Sequence, residues 1–151
     1  MTANSAFDTY VSARNAGQGF LLWETISAEL ETTVAAVLKL GAFDELGLMF
    51  ESVEGGESLG RYSFIGINPD KVWRHESGQT QVGDRDDNGT INWQTVPDAV
   101  STMDSLRAFS EAARAPIPAP LPPMSAGVFG FFGYEMVQYF ERSKHLNPED
   151  R

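Results

Sequence analysis

The chain contains no cysteine among its 151 residues, which excludes disulfide staples and thiolate metal sites and fits a reducing compartment. Histidine is nearly as scarce. His75 and His145 lie far apart, without the one-turn spacing of a paired metal site, and read as surface residues with no metal assigned. Positive charge is also in short supply: 11 Lys and Arg face 21 Asp and Glu, a net charge of −10. Such a surface repels a phosphate backbone, so no nucleic-acid partner is expected. No apolar run approaches the roughly 18 residues of a membrane span. The opening "MTANSAFDTY" lacks a basic region followed by an apolar stretch. The chain therefore reads as soluble and cytoplasmic, without a membrane partner.

What is present suits one small domain of many turns. Hydrophobic residues make up 42% and aromatics 11% of the chain, enough for a core, and 14 glycines with eight prolines favour short elements. Residues 1–19 are small, polar and aperiodic apart from Phe7, Tyr10 and Val11, and read as a flexible segment, with order starting at Phe20. "FLLWETIS" reads as a strand, its four leading apolar residues also being compatible with a buried helix. "ETTVAAVLKLG" carries helix signals: Thr32 or Thr33 as cap, Val34, Val37 and Leu38 on one face, and Gly41 at the C-terminal left-handed position.

From Leu48 to Val96 the pattern changes to strands and turns. Leu48 to Val53 and Arg61 to Ile67 flank "EGGESLG". Lys71 to Glu76 and Gln79 to Val82 flank a turn at "SGQ". "DRDDNGT" turns through Asn88-Gly89 into "TINWQTV", with Ile91, Trp93 and Thr95 on one face. A helix is expected from about Asp98 to Arg114, presenting Val100, Met103, Leu106 and Phe109. Five prolines between Pro116 and Pro123 make "APIPAPLPPM" an extended connector rather than helix or central strand. "SAGVFGFFGYEMVQYFE" then mixes glycine with aromatics before helical spacing at Met136, Val137 and Phe140. The fold class is α+β, a largely antiparallel sheet with short packed helices.

Three groups of residues invite a chemical reading. Gly127, Gly130 and Gly133 match neither the nucleotide P-loop nor the dinucleotide fingerprint; as strand glycines they mark close approach of a neighbouring backbone. No glycine-flanked nucleophile appears, and no catalytic residue is assigned. The third group is in "FESVEGGESLGRYSF", where Glu51 and Arg61 fall at nearly equal distances from Gly55-Gly56. The plain reading is a cross-strand ion pair, worth about 0.2–1 kcal/mol if exposed. The sharper one is an amino-acid site: Glu51 accepts from an α-ammonium, Ser52 donates or accepts, and Arg61 meets an α-carboxylate.

Those same residues carry a resemblance. "FESVEGGESLGRYSFIGINP" resembles the hairpin near the amino terminus of anthranilate synthase component I. "LETTVAAVLKL" resembles the helix before it, and "SAGVFGFFGYEMVQYFE" its glycine-aromatic strand and following helix. The likeness covers about residues 20–142, which it implies form that family's N-terminal domain, part of a two-sheet sandwich in the full-length family. Residues 143–151 are then a tail or linker toward a chorismate-binding domain outside this chain.

The resemblance implies a part of a lyase that converts chorismate and ammonia, delivered from glutamine by an amidotransferase subunit, into anthranilate and pyruvate for tryptophan biosynthesis. Magnesium is implied for the full-length enzyme and no cofactor for this chain, which is expected to be inactive alone. L-tryptophan is the implied feedback inhibitor, held by Glu51 and Ser52, with Arg61 beside them and Thr33 as a pocket neighbour. Thr33 stands where the family commonly has proline, and Met49-Phe50 where it has paired leucines. The wider family includes aminodeoxychorismate synthase component I, which is one alternative. A stand-alone amino-acid-sensing or interaction module is the other.

Overall fold

The computed structural model describes residues 3–42, 46–51 and 62–140, with the side chains of residues 3–6 excepted. The chain divides into two compact units, Met1–Thr25 with Pro97–Arg151, and Ile26–Val96. The described residues form four short helices and two small antiparallel sheets, the α+β class read from the sequence.

The Ile26–Val96 unit begins with an irregular stretch and helix α2, Thr33–Leu40. Thr32 is the N-cap, its side chain accepting from the Ala35 N–H at 3.1 Å, and Gly41 closes the helix at φ 66°. Positive φ is open to glycine without a Cβ penalty, so the chain can turn back here and give the Gly41 and Ala42 N–H groups to the carbonyls of Leu38 and Val37. The buried face differs from the one expected. Val37 is fully buried and Thr33, Ala35 and Ala36 are half-buried, whereas Val34 and Leu38 are exposed.

Strands β1 (Leu48–Glu51) and β2 (Ser63–Gly66) form the first sheet, pairing Leu48 with Gly66, Met49 with Ile65, Phe50 with Phe64 and Glu51 with Ser63. The second is a meander in the order β3 (Lys71–Glu76), β4 (Gln79–Arg85), β5 (Ile91–Thr95). Its first turn is the two residues Ser77 and Gly78, both at positive φ (52° and 76°), the backbone that a tight hairpin requires. In the second, Asp86 Oδ1 accepts from the N–H groups of Asn88 and Thr90 at 3.0 and 2.9 Å. Gly89, and not Asn88, takes the positive φ there, at 85°. The strand β4 runs three residues past the expected end at Val82 because the Arg85 N–H still finds a partner, the carbonyl of Asp70, at 2.8 Å.

In the other unit, α1 spans Ala3–Asn15, where the sequence suggested an aperiodic segment. Phe7, Tyr10 and Val11 are three and four residues apart, the spacing of one helical face, and the Tyr10 ring meets Phe20 edge-on at 5.9 Å. Helix α3, Thr102–Ala112, starts later than expected because Ser101 is its N-cap, which leaves Val100 outside; Met103, Leu106 and Phe109 are half-buried along it. The proline-rich connector forms neither helix nor strand. A 3₁₀ turn at Tyr134–Met136 leads into α4, Val137–Phe140, beside α3; of the three residues at helical spacing Met136 is buried, Val137 half-buried and Phe140 exposed.

Two expected strands are absent from the described residues. Residues 20–27 and 125–133 carry strand-like text but pair with no other strand, and a strand exists only through its ladder. Several of their apolar side chains remain open to solvent, Leu22 at 80% and Phe131 at 94%, while Phe20, Leu21 and Phe129 are half-buried. Gly127 and Gly130 have nothing within 4 Å of where a Cβ would stand, so close backbone approach does not account for them. The core among the described residues is accordingly thin: Val37, Ala42 and Met136 are its buried hydrophobic members.

Candidate functional site

The hairpin of β1 and β2 sets the geometry around Glu51. Residues directly opposite on an antiparallel pair point to the same face with Cβ atoms roughly 4.5–5.5 Å apart, and Glu51 stands opposite Ser63. Arg61, expected opposite or diagonal to Glu51, is therefore not its directly paired residue; together with Ser52 it lies outside the described residues. The register follows from the apolar residues. Pairing Phe50 with Phe64 and Met49 with Ile65 matches large side chains across the ladder, and this places Ser63 at Glu51.

Thr33 joins the same place from α2. Because Thr32 takes the capping role, the Thr33 hydroxyl is released from it and donates to Ser63 Oγ at 3.4 Å. A carboxylate and two hydroxyls thus gather at one end of the β1–β2 ladder, with the Met49–Ile65 pair next along the same face. Glu51 and Ser63 are exposed, while Thr33, Met49 and Ile65 are half-buried. Ser63 is the member that reading the sequence missed; matching the apolar residues of the two strands would have found it.

Of the histidines, His75 is half-buried rather than a plain surface residue. Its Nδ1 lies 2.8 Å from Thr80 Oγ1 across the hairpin, and its ring stacks on Trp73. His145 lies outside the described residues. Among the described residues no group of three His, Asp or Glu is arranged to hold a metal ion, and no helix is long and apolar enough to cross a membrane.

Sequence comparison places this hairpin in context. The chain is 32% identical over 145 residues to anthranilate synthase component 1 of Cereibacter sphaeroides, covering 96% of this chain and 29% of that protein. It is 35% identical over 136 residues to the Synechocystis protein of the same name (89% and 25%). The Thermus thermophilus protein is 36% identical over 129 residues (84% and 25%). No family model and no solved structure matches the chain. The chain is a relative of anthranilate synthase component 1, matched in the amino-terminal region of those proteins, and it spans between a quarter and three tenths of their length.

Proposed function

We propose that this chain is the N-terminal regulatory and scaffold part of an anthranilate synthase large subunit, working in tryptophan biosynthesis in the cytoplasm. The observation that carries the reading is similarity over 96% of the chain to a protein of that name. In the proposal the whole enzyme converts chorismate and ammonia, the latter supplied from glutamine by an amidotransferase subunit, into anthranilate and pyruvate. Chorismate and magnesium belong to the part of the enzyme that this chain does not include, and no step runs through residues described here. The chain's own task is to bind L-tryptophan as feedback inhibitor through Glu51, Ser52 and Arg61, with Thr33 as neighbour.

Physical chemistry supports that assignment. An exposed carboxylate suits an α-ammonium, hydroxyls suit either end of an amino acid, and an apolar pair beside them suits its side chain. The exposed Leu22 and Phe131 in one unit and Ile26 and Leu30 in the other support the scaffold role, since large apolar side chains left open to solvent are suited to covering by further protein.

The test is a calorimetric titration of the chain with L-tryptophan. Saturable binding lost in Glu51→Ala and in Ser52→Ala, each with an unchanged circular dichroism spectrum, is the expected result. Binding unchanged in both variants overturns the site. Anthranilate production by the purified chain from chorismate and ammonium would overturn its inactivity. Aminodeoxychorismate as the product of the full-length enzyme would move the chain to the sister enzyme.

A further inference from the structure

We infer that Ser63 reads the α-carboxylate of the bound amino acid and that Thr33 is the positioning residue that aims it. The inference rests on the proposed amino-acid site and adds to it two roles on the second strand and the helix. Ser63 has one hydroxyl proton to give and lone pairs to receive. The Thr33 hydroxyl lies 3.4 Å from that oxygen, and in the proposed arrangement it donates there, so that the Ser63 proton is left to be given elsewhere.

The face it shares decides the direction. Glu51, directly opposite, is an acceptor when ionised and repels a second carboxylate, so a ligand's α-ammonium turns toward Glu51 and its α-carboxylate toward Ser63. Both groups hang from one carbon of the ligand, a span that two side chains with Cβ atoms roughly 4.5–5.5 Å apart can bracket. One pair further along that face are Met49 and Ile65, both half-buried and both apolar. A polar head of one carboxylate and two hydroxyls, followed by an apolar pair, matches an α-amino acid with an apolar side chain. Thr33 does not touch the ligand in this arrangement. Its contribution depends on the oxygen of Ser63 being there to receive its proton.

Three ligands separate these roles on the full chain by calorimetry: L-tryptophan, tryptamine, which lacks the carboxylate, and indole-3-propionate, which lacks the ammonium. Ser63→Ala should weaken L-tryptophan and indole-3-propionate about tenfold, as expected for a hydrogen bond to a charged group, and leave tryptamine unchanged. Ser63→Thr, keeping the hydroxyl, should retain most of the affinity. Glu51→Gln should show the opposite pattern, weakening L-tryptophan and tryptamine but not indole-3-propionate. Thr33→Val should weaken the same two ligands as Ser63→Ala and have no further effect in the Ser63→Ala background, while Thr33→Ser restores binding.

Equal weakening of all three ligands by Ser63→Ala would mark a structural role and overturn the inference. So would additive effects of Thr33→Val and Ser63→Ala. Tryptophan binding that is lost in Glu51→Ala but unchanged in Ser63→Ala overturns this inference and leaves the proposed site standing. Absence of saturable tryptophan binding by the unaltered chain overturns both.

Discussion

The guanidinium carbon of Arg74 sits 3.9 Å from the centroid of the Trp93 ring, joining the two outer strands of the meander across the middle one. The same arginine donates from Nε to Gln81 Oε1 at 2.8 Å, and Gln81 is its cross-strand partner. Arg74 is exposed, which places the cation–π contact at the weaker end, about 0.5–1 kcal/mol. Arg74→Ala should therefore lower stability by about 1 kcal/mol in urea unfolding followed by tryptophan fluorescence. Arg74→Lys should recover part of that, because an ammonium keeps the attraction to the ring but not the planar fork. No change in either variant would mean that the stacking carries no net energy.

That contact depends on what β4 lacks. Gly83 is the cross-strand partner of Trp93, and a Cβ there would lie 2.3 Å from Ile91 Cγ2 and 3.0 Å from Trp93 Cε3. The indole lies where a side chain on the middle strand would stand. Gly83→Ala should destabilise by about 1–3 kcal/mol, the range for overpacking. The double variant Gly83→Ala with Ile91→Ala removes the nearer clash and should be less destabilised than the two single changes summed. Strict additivity would show that the cost arises elsewhere.

The meander shows what could be read from the sequence and what could not. Lys71–Glu76 was legible end to end because turn-forming residues bound it on both sides, Asn68-Pro69 before and Ser77-Gly78 after. The C-cap of α2 was legible for a similar reason, Gly41 acting through local geometry that a short stretch specifies, whereas the sequence left the N-cap open between Thr32 and Thr33 and the structure decides for Thr32. Residues 20–27 and 125–133 were misread because apolar or alternating text records which face is buried and not which strand lies beside it. At the candidate site the sequence singles out Glu51 as a carboxylate beside the turn, and the structure places it at the end of β1. The serine opposite it, Ser63, was not legible: counting outward from Gly55-Gly56 singles out Arg61 as opposite or diagonal, and only the match of Phe50 with Phe64 shows that the directly opposite residue is Ser63. The helix α1 was hidden by composition: three apolar residues at helical spacing among alanine, serine and asparagine make a weak stripe.

The tight turn between β3 and β4 offers a gain as well as a loss. Ser77 and Gly78 both have positive φ, and asparagine tolerates that region better than serine. Ser77→Asn should raise stability by a few tenths of a kcal/mol, about the size expected for improved turn chemistry. Gly78→Ala, at φ 76°, should cost about 1–2 kcal/mol, because a Cβ in the left-handed region crowds the following carbonyl. Thermal unfolding of the two variants beside the parent decides it, and a destabilised Ser77→Asn would show that the serine side chain has a role beyond its backbone.

Acid should act on α3 through its first turn. Ser101 Oγ accepts from the Asp104 N–H at 3.1 Å and donates back to Asp104 Oδ2 at 2.7 Å, while Arg107 donates to Oδ1 at 2.9 Å. The Ser101 hydroxyl, and after it the Arg107 guanidinium, hold the Asp104 carboxyl below its ordinary value of 3.8. A carboxyl whose folded pKa is depressed contributes stability that is present above the ordinary value and is lost as pH falls through the folded one. The contribution of Asp104 to α3 should accordingly persist at neutral pH and fade only in acid below about pH 3.8. In a carbon-detected titration its midpoint should lie below that of a free aspartate and move upward in Ser101→Ala. The same substitution removes the N-cap and should cost about 1 kcal/mol at neutral pH. Arg107→Ala should move the Asp104 midpoint upward by less than Ser101→Ala does, since the serine contact is the shorter and the Arg107 side chain is largely exposed. A midpoint indifferent to both changes would mean that neither contact persists in solution.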